Sequence, residues 1–124
     1  MTPPPAQRWR TTLRSALLEA RKQRDTVRVA AIRSALSAID NAETPDAAQT
    51  EARIDGPIAH SVAGLGAAEV ARRELTEAEI LALLHTEVEE RTSAAKQFET
   101  GGHTDRAAAL RAEAAVLDGL LTGR

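Results

Sequence analysis

Residues 75–80 read LTEAEI, and this short stretch fixes the class of structure around it. Thr76 and Glu79 have the T-x-x-E spacing of a capping box, where each side chain satisfies a backbone N–H of the other at a helix start. Leu75 and Ile80 flank the box as a hydrophobic staple. From there Ile80, Leu84, Val88, Ala95 and Phe98 fall on one face at helical period. A strand cannot use that stripe, because its side chains alternate faces every residue. Gly101 is expected to end the helix as the left-handed C′ residue, where a Cβ would clash. Thr104 then caps a further helix, with Asp105 in its first turn and a core stripe of Ala107, Leu110, Ala114, Leu117 and Leu121. The run KQFETGGHTDRAA at 96–108, with its paired glycines and histidine, therefore reads as helix punctuation rather than a reactive loop.

The N-terminal part repeats this logic. After three prolines, Trp9, Leu13, Ala16, Leu17 and Ala20 share one face of a helix expected over about 6–24. Asp25 suits the N-cap of a second helix over about 26–43, whose stripe is Val29, Ile32, Leu36 and Ile39 and which Pro45 ends. Residues 44–72 are different: Gly56-Pro57, Gly64 and Gly66 break any long period, so the segment reads as a long loop or insertion. With aromatics at only 2%, the core has to be built from aliphatic helix formers. The expected fold is all-α: one domain over 1–124, a small bundle of two antiparallel helical hairpins with the long loop between them. The hairpins should turn near Arg24-Asp25 and at Gly101-Gly102.

Charge is distributed unevenly. Residues 1–33 carry eight basic side chains against Glu19 and Asp25, a net +6, whereas residues 34–124 carry eight basic and sixteen acidic, a net −8. Arg10, Arg14 and Arg21 line up beside the apolar face of the first helix, and Lys22, Arg24 and Arg28 continue the basic character through the turn. These six form the candidate surface for a polyanion such as RNA. The alternative is a basic helix that pairs with acidic helices of its own bundle or of another chain, which would make the protein an assembly module and a homo-oligomer one outcome.

Catalytic and cofactor motifs fail on inspection. Gly64-Leu65-Gly66 lacks the third glycine of a dinucleotide fingerprint, and no lysine-serine pair follows Gly101-Gly102 as a phosphate-cradling loop needs. HTEVE at 85–89 places Glu89 where a zinc helix would place its second histidine. With no cysteine, thiolate metal sites and disulfides are excluded. Serines 15, 34, 37, 61 and 93 have no base beside them in sequence. The chain reads as a non-enzyme without cofactor or metal. Nowhere do 18 apolar residues run uninterrupted and MTPPPAQRWR lacks an apolar leader core, so a soluble, cytoplasmic protein without membrane contact is expected.

One polar constellation remains. Arg91 interrupts the apolar face of the third helix, Glu87 precedes it by four residues, and Glu113 interrupts the stripe of the fourth. If the chain folds back at Gly102, Arg91 and Glu113 lie equally far from the turn and side by side. The trio reads as a structural ion-pair network fixing helix register, with a ligand or RNA contact as the other reading.

The ordered set Lys22, Asp25, Arg28, Ile32-Arg33, Ala38-Ile39, Asn41-Ala42-Glu43, then Leu75-Thr76, Glu90-Arg91, Gln97-Phe98, Gly101, Asp105, Glu113 and Leu117 resembles the GatB/YqeY family. That family comprises stand-alone YqeY-like proteins and the tail domain of the B subunit of tRNA-dependent amidotransferases. The likeness covers 17–43 and 72–121. It implies an all-α fold and a connection to tRNA or to an RNA-bound, amidotransferase-like complex. Two departures stand out: Gly102-His103 replaces the family's arginine after the turn glycine, and Leu120-Leu121-Thr122 stands where the family continues through Tyr-Leu-Pro into a small C-terminal helical subdomain. That subdomain is expected to be absent.

Overall fold

At the start of the third helix, Thr76 Oγ1 accepts from the Glu79 backbone N–H at 3.1 Å, and Glu79 Oε1 accepts from the Thr76 N–H at 2.9 Å. Both bonds of the capping box are thus made. The computed structural model describes residues 2–44 and 73–123, and among these the chain forms helices and no strands. In chain order they are α1 (Pro5–Lys22), α2 (Thr26–Glu43), α3 (Glu77–Thr100) and α4 (Thr104–Thr122). The expected loop at 44–72 lies outside the described residues apart from Thr44, the C-cap of α2. Helix α2 is central: it packs on α1, on α4 and on α3, while α3 and α4 form the most extensive pair. The two antiparallel hairpins are α1–α2 and α3–α4.

The stripes bury as helical spacing requires. Trp9, Leu13, Leu17 and Ala20 of α1 meet Ala31, Ile32, Ala35 and Ile39 of α2, with Leu75, Ile80, Leu84 and Leu117 closing the core. Each fully buried Leu or Ile side chain contributes about 1.5–3 kcal/mol through removal from water. Between α3 and α4 the buried residues are mostly small, Ala95, Ala107 and Ala114, which lets two helix backbones approach closely. Phe98 departs from its expected core role. It is half-buried, with the Arg106 guanidinium 5.6 Å over its ring and the His103 ring edge-on at 6.0 Å.

Both turns are Schellman caps, and the second corrects the sequence reading by one residue. Gly101 is the C-cap with φ −80°, and Gly102 takes the left-handed conformation with φ 86°. Gly102 N donates to Glu99 O and His103 N to Phe98 O, so two orphan carbonyls of α3 are satisfied. Thr104 is already helical, so His103 occupies the N-cap of α4, and it makes no side-chain capping bond. At the first turn Arg24 N donates to Arg21 O and Asp25 N to Ala20 O, the same pattern. Here the left-handed residue is Arg24, with φ 57°. An L side chain in that region costs about 1–2 kcal/mol. Asp25 then caps α2 as expected, its Oδ1 accepting from Arg28 N at 3.1 Å.

Polar clamps brace the hairpins. Arg10 of α1 gives both Nη atoms to the Glu43 carboxylate and its Nε to Asp40 Oδ1 at 3.1 Å, tying α1 to the end of α2. Glu43 is itself buried, and its backbone oxygen accepts from Arg73 N at 2.9 Å, joining the end of α2 to the residues leading into α3. Trp9 Nε1 and Arg8 both donate to Glu77, fastening the N-terminal ends of α1 and α3.

Candidate functional site

The cation-rich end of the molecule is built by the first turn. Because α1 closes with a left-handed Arg24 and α2 starts one residue later on Asp25, side chains from the last turn of α1 and the first two turns of α2 converge at one tip. Arg21, Arg24, Thr26, Val29, Ala30 and Arg33 line a shallow, open groove of about 600 Å³ there. Its floor is apolar and its rim carries three guanidinium groups. Arg21, Arg24 and Arg33 are exposed, and their side chains make no hydrogen bond or ion pair among the described residues. Part of the basic excess at this tip also has a local role, since Arg21 and Lys22 fall in the last turn of α1 and offset its negative dipole end.

The six arginines and lysines expected to form a polyanion surface therefore separate. Arg21 and Arg24 reach the groove. Arg14 and Lys22 are exposed on α1 but do not line it. Arg28 is half-buried and donates to Gln23 Oε1 at 3.1 Å. Arg10 has to be withdrawn from the set. Its side chain is 17% exposed and its guanidinium is occupied by Glu43 and Asp40. The Glu43 hydrogen bonds hold the Arg10 pKa above its ordinary value despite burial, so the group stays charged and bound. Arg33, outside the expected set, belongs to the site. It lies seven residues after Thr26 and four after Val29, so helical spacing places it on the face that the turn turns toward Arg21.

A second groove adjoins the first and shares Arg33. It holds about 410 Å³ and is lined by Arg33, Ser34, Ser37, Ala38, Asn41 and, from α3, Glu87. Behind Glu87 stands the trio singled out from sequence. Arg91 Nε donates to Glu113 Oε1 at 3.0 Å, and its Nη1 donates to Glu87 Oε1 at 3.0 Å and to Glu87 O at 3.1 Å. Burial by itself would lower the Arg91 pKa, but the hydrogen bonds to Glu113 and Glu87 outweigh it and hold the pKa above its usual value. Of the trio, Glu87 lines the second groove, and all three side chains are only partly exposed.

Among the described residues no group of three or more His, Asp or Glu could hold a metal ion, and His85 of the failed zinc pattern is exposed. No helix among them is long and apolar enough to cross a membrane. Comparison with curated proteins and with solved structures gives no match. The model of one family, described as Yqey-like protein, matches residues 10–122, a span that includes most of α1, the other three helices, the turn at Arg24 and both grooves. The chain belongs to the YqeY-like protein family.

Proposed function

We propose that this chain is a non-catalytic helical module that contacts folded RNA through the tip of its first hairpin. In the setting the GatB/YqeY resemblance implies, that RNA is tRNA, free or held in an amidotransferase-like complex, and the setting is cytoplasmic. The observation that supports this most is the first groove, where three exposed guanidinium groups, without partners among the described residues, surround one concavity. Such a concentration of uncompensated charge attracts a polyanion, and each phosphate it neutralises releases counterions. The left-handed Arg24 fits the same reading, since a strained non-glycine residue at an exposed tip is retained at a cost in stability.

The test is fluorescence anisotropy with total tRNA across a salt series, comparing the native chain with the triple variant Arg21→Glu, Arg24→Glu, Arg33→Glu. Native binding should fall steeply with salt. The triple variant should bind weakly and show a log–log salt slope shallower by about 2–3. Unchanged binding in the triple variant, with its helical circular dichroism intact, would sink the proposal.

One observation favours a protein partner instead. Leu18 is 57% exposed on α1, between Arg14 and Lys22 one turn to either side. In that reading the basic face of α1 pairs with acidic helices of a second chain. Sedimentation of the native chain and Leu18→Ser would show self-association lost in the variant.

A further inference from the structure

The two grooves have opposite chemistry although they meet at Arg33. Thr26, Val29, Ala30 and Arg33 belong to the first, and Arg33, Ser34, Ser37 and Asn41 carry the same face of α2 into the second. From Thr26 to Asn41 that face runs about 22 Å at 1.5 Å per residue. The tip end is apolar and cationic. The far end has one cation at its entrance, two hydroxyls, an amide and the carboxylate of Glu87.

A track built only for phosphates would continue with cations. Glu87 makes the far groove unsuited to that, because a carboxylate repels a phosphate unless a cation intervenes, and Arg91 lies on its inner side. What a carboxylate accepts readily is a hydroxyl proton. The neutral side chains agree with this. Ser34, Ser37 and Asn41 make no side-chain hydrogen bond among the described residues, so their donors and acceptors are available to a ligand. Glu87 uses Oε1 for Arg91 and keeps Oε2 unbonded among the described residues. In an RNA strand each ribose between two phosphates carries a 2′-hydroxyl that is both donor and acceptor, so the arginines can take a phosphate while the adjoining ribose meets the polar groove.

We infer that the second groove reads ribose 2′-hydroxyls, so that the site selects RNA over DNA while the arginine tip supplies affinity for either. The inference rests on the RNA reading proposed above and adds to it the group that is recognised. Phosphates bind at Arg21, Arg24 and Arg33. The adjoining riboses then lie over Ser37 and Asn41, where a 2′-hydroxyl donates to Glu87 or to the amide oxygen and accepts from the serine or amide N–H.

The test uses three fluorescein-labelled hairpins of one sequence: RNA, DNA, and RNA with 2′-O-methyl sugars, which keeps the A-form shape but removes the hydroxyl donor. The native chain should bind RNA about tenfold more tightly than either of the other two, the effect of one or two net hydrogen bonds. The variant Ser37→Ala, Asn41→Ala changes two exposed residues outside the core and should bind all three alike, at the affinity the native chain shows for DNA. Equal native affinity for RNA and the 2′-O-methyl form overturns the inference and leaves the proposed function standing, as does a double variant that keeps the full preference. Absence of binding to any of the three at low salt removes both. A double variant weakened equally toward all three would show that the groove acts through shape or charge, again against a 2′-hydroxyl reader.

Discussion

Removing Glu113 tests how the second hairpin is held. Arg91 is 12% exposed and Glu113 21%, so their bond at 3.0 Å lies well inside the seam between α3 and α4. An arginine left buried without any partner costs about 3–5 kcal/mol. Glu113→Ala does not create that state, because Arg91 keeps the Glu87 carboxylate at 3.0 Å and the Glu87 carbonyl at 3.1 Å. What is lost is one charge-assisted hydrogen bond and some packing, so the expected destabilisation is about 1.5–2 kcal/mol. Arg91→Ala should cost more, about 3 kcal/mol, since it leaves two carboxylates facing each other across the seam without their shared cation. The double variant should then be better than additive, with a coupling of about 1–2 kcal/mol. Urea denaturation followed by helical circular dichroism reads these numbers directly: at about 1.5 kcal/mol per molar, Glu113→Ala should lower the midpoint by roughly 1 M. Glu113→Gln separates charge from volume and should recover part of the loss. Effects of the two alanine substitutions that add within about 0.5 kcal/mol would refute direct coupling, whatever the distance between the groups.

Other outcomes follow from the same geometry. Arg10→Ala should cost about 2–3 kcal/mol in urea denaturation because it leaves buried Glu43 without its bidentate cation, whereas Arg14→Ala should stay within about 0.5 kcal/mol. Arg24→Gly should raise stability by about 0.5–1 kcal/mol through relief of the left-handed conformation, and weaken tRNA binding at the same time; a loss of stability would refute the strain argument. On acidification, two surface carboxylates set the sign. Glu79 is held below the usual carboxylate range by the Thr76 backbone N–H and by Arg73, and Glu99 by Arg111. Both favour the folded state above the ordinary carboxylate pKa, and that contribution disappears as pH falls through their lowered values. Urea midpoints should therefore decline from about pH 5 downward, and Glu79→Gln should flatten the decline.

The helices and their caps were legible because their signals are local. Asp25, Thr76 and Glu79 act on backbone groups within three residues, and apolar residues recur within one or two turns. Gly101 and Thr104 misled by one position because two glycines stand together, and either can take the left-handed step. The trio of Arg91, Glu87 and Glu113 could be written down from symmetry about Gly102. Arg10 was open to the same construction. It lies fifteen residues before Asp25, and Asp40 lies fifteen after, which is the pairing the structure makes. The sequence places it in a basic stripe, because charge along one helix says nothing of what the facing helix carries. Arg33 was missed for the converse reason: its place beside Arg21 exists only once two helices are set at a particular angle. Phe98 shows the limit of periodicity, which gives a face but not how deeply the face is covered.

The hydrogen bond from Arg73 N to Glu43 O has a consequence for what the chain can tolerate. It brings the last residue of α2 and the approach to α3 together at one point, where Arg10 also clamps Glu43. The distance that the intervening sequence must bridge is therefore short and set by the helices themselves. Doubling the length of a closed loop costs only about 0.6 kcal/mol in chain entropy, far less than the clamps on either side supply. Extra residues between Thr44 and Arg73 thus add little to the cost of closing the chain, because the bond between Arg73 N and Glu43 O already fixes where its two ends meet.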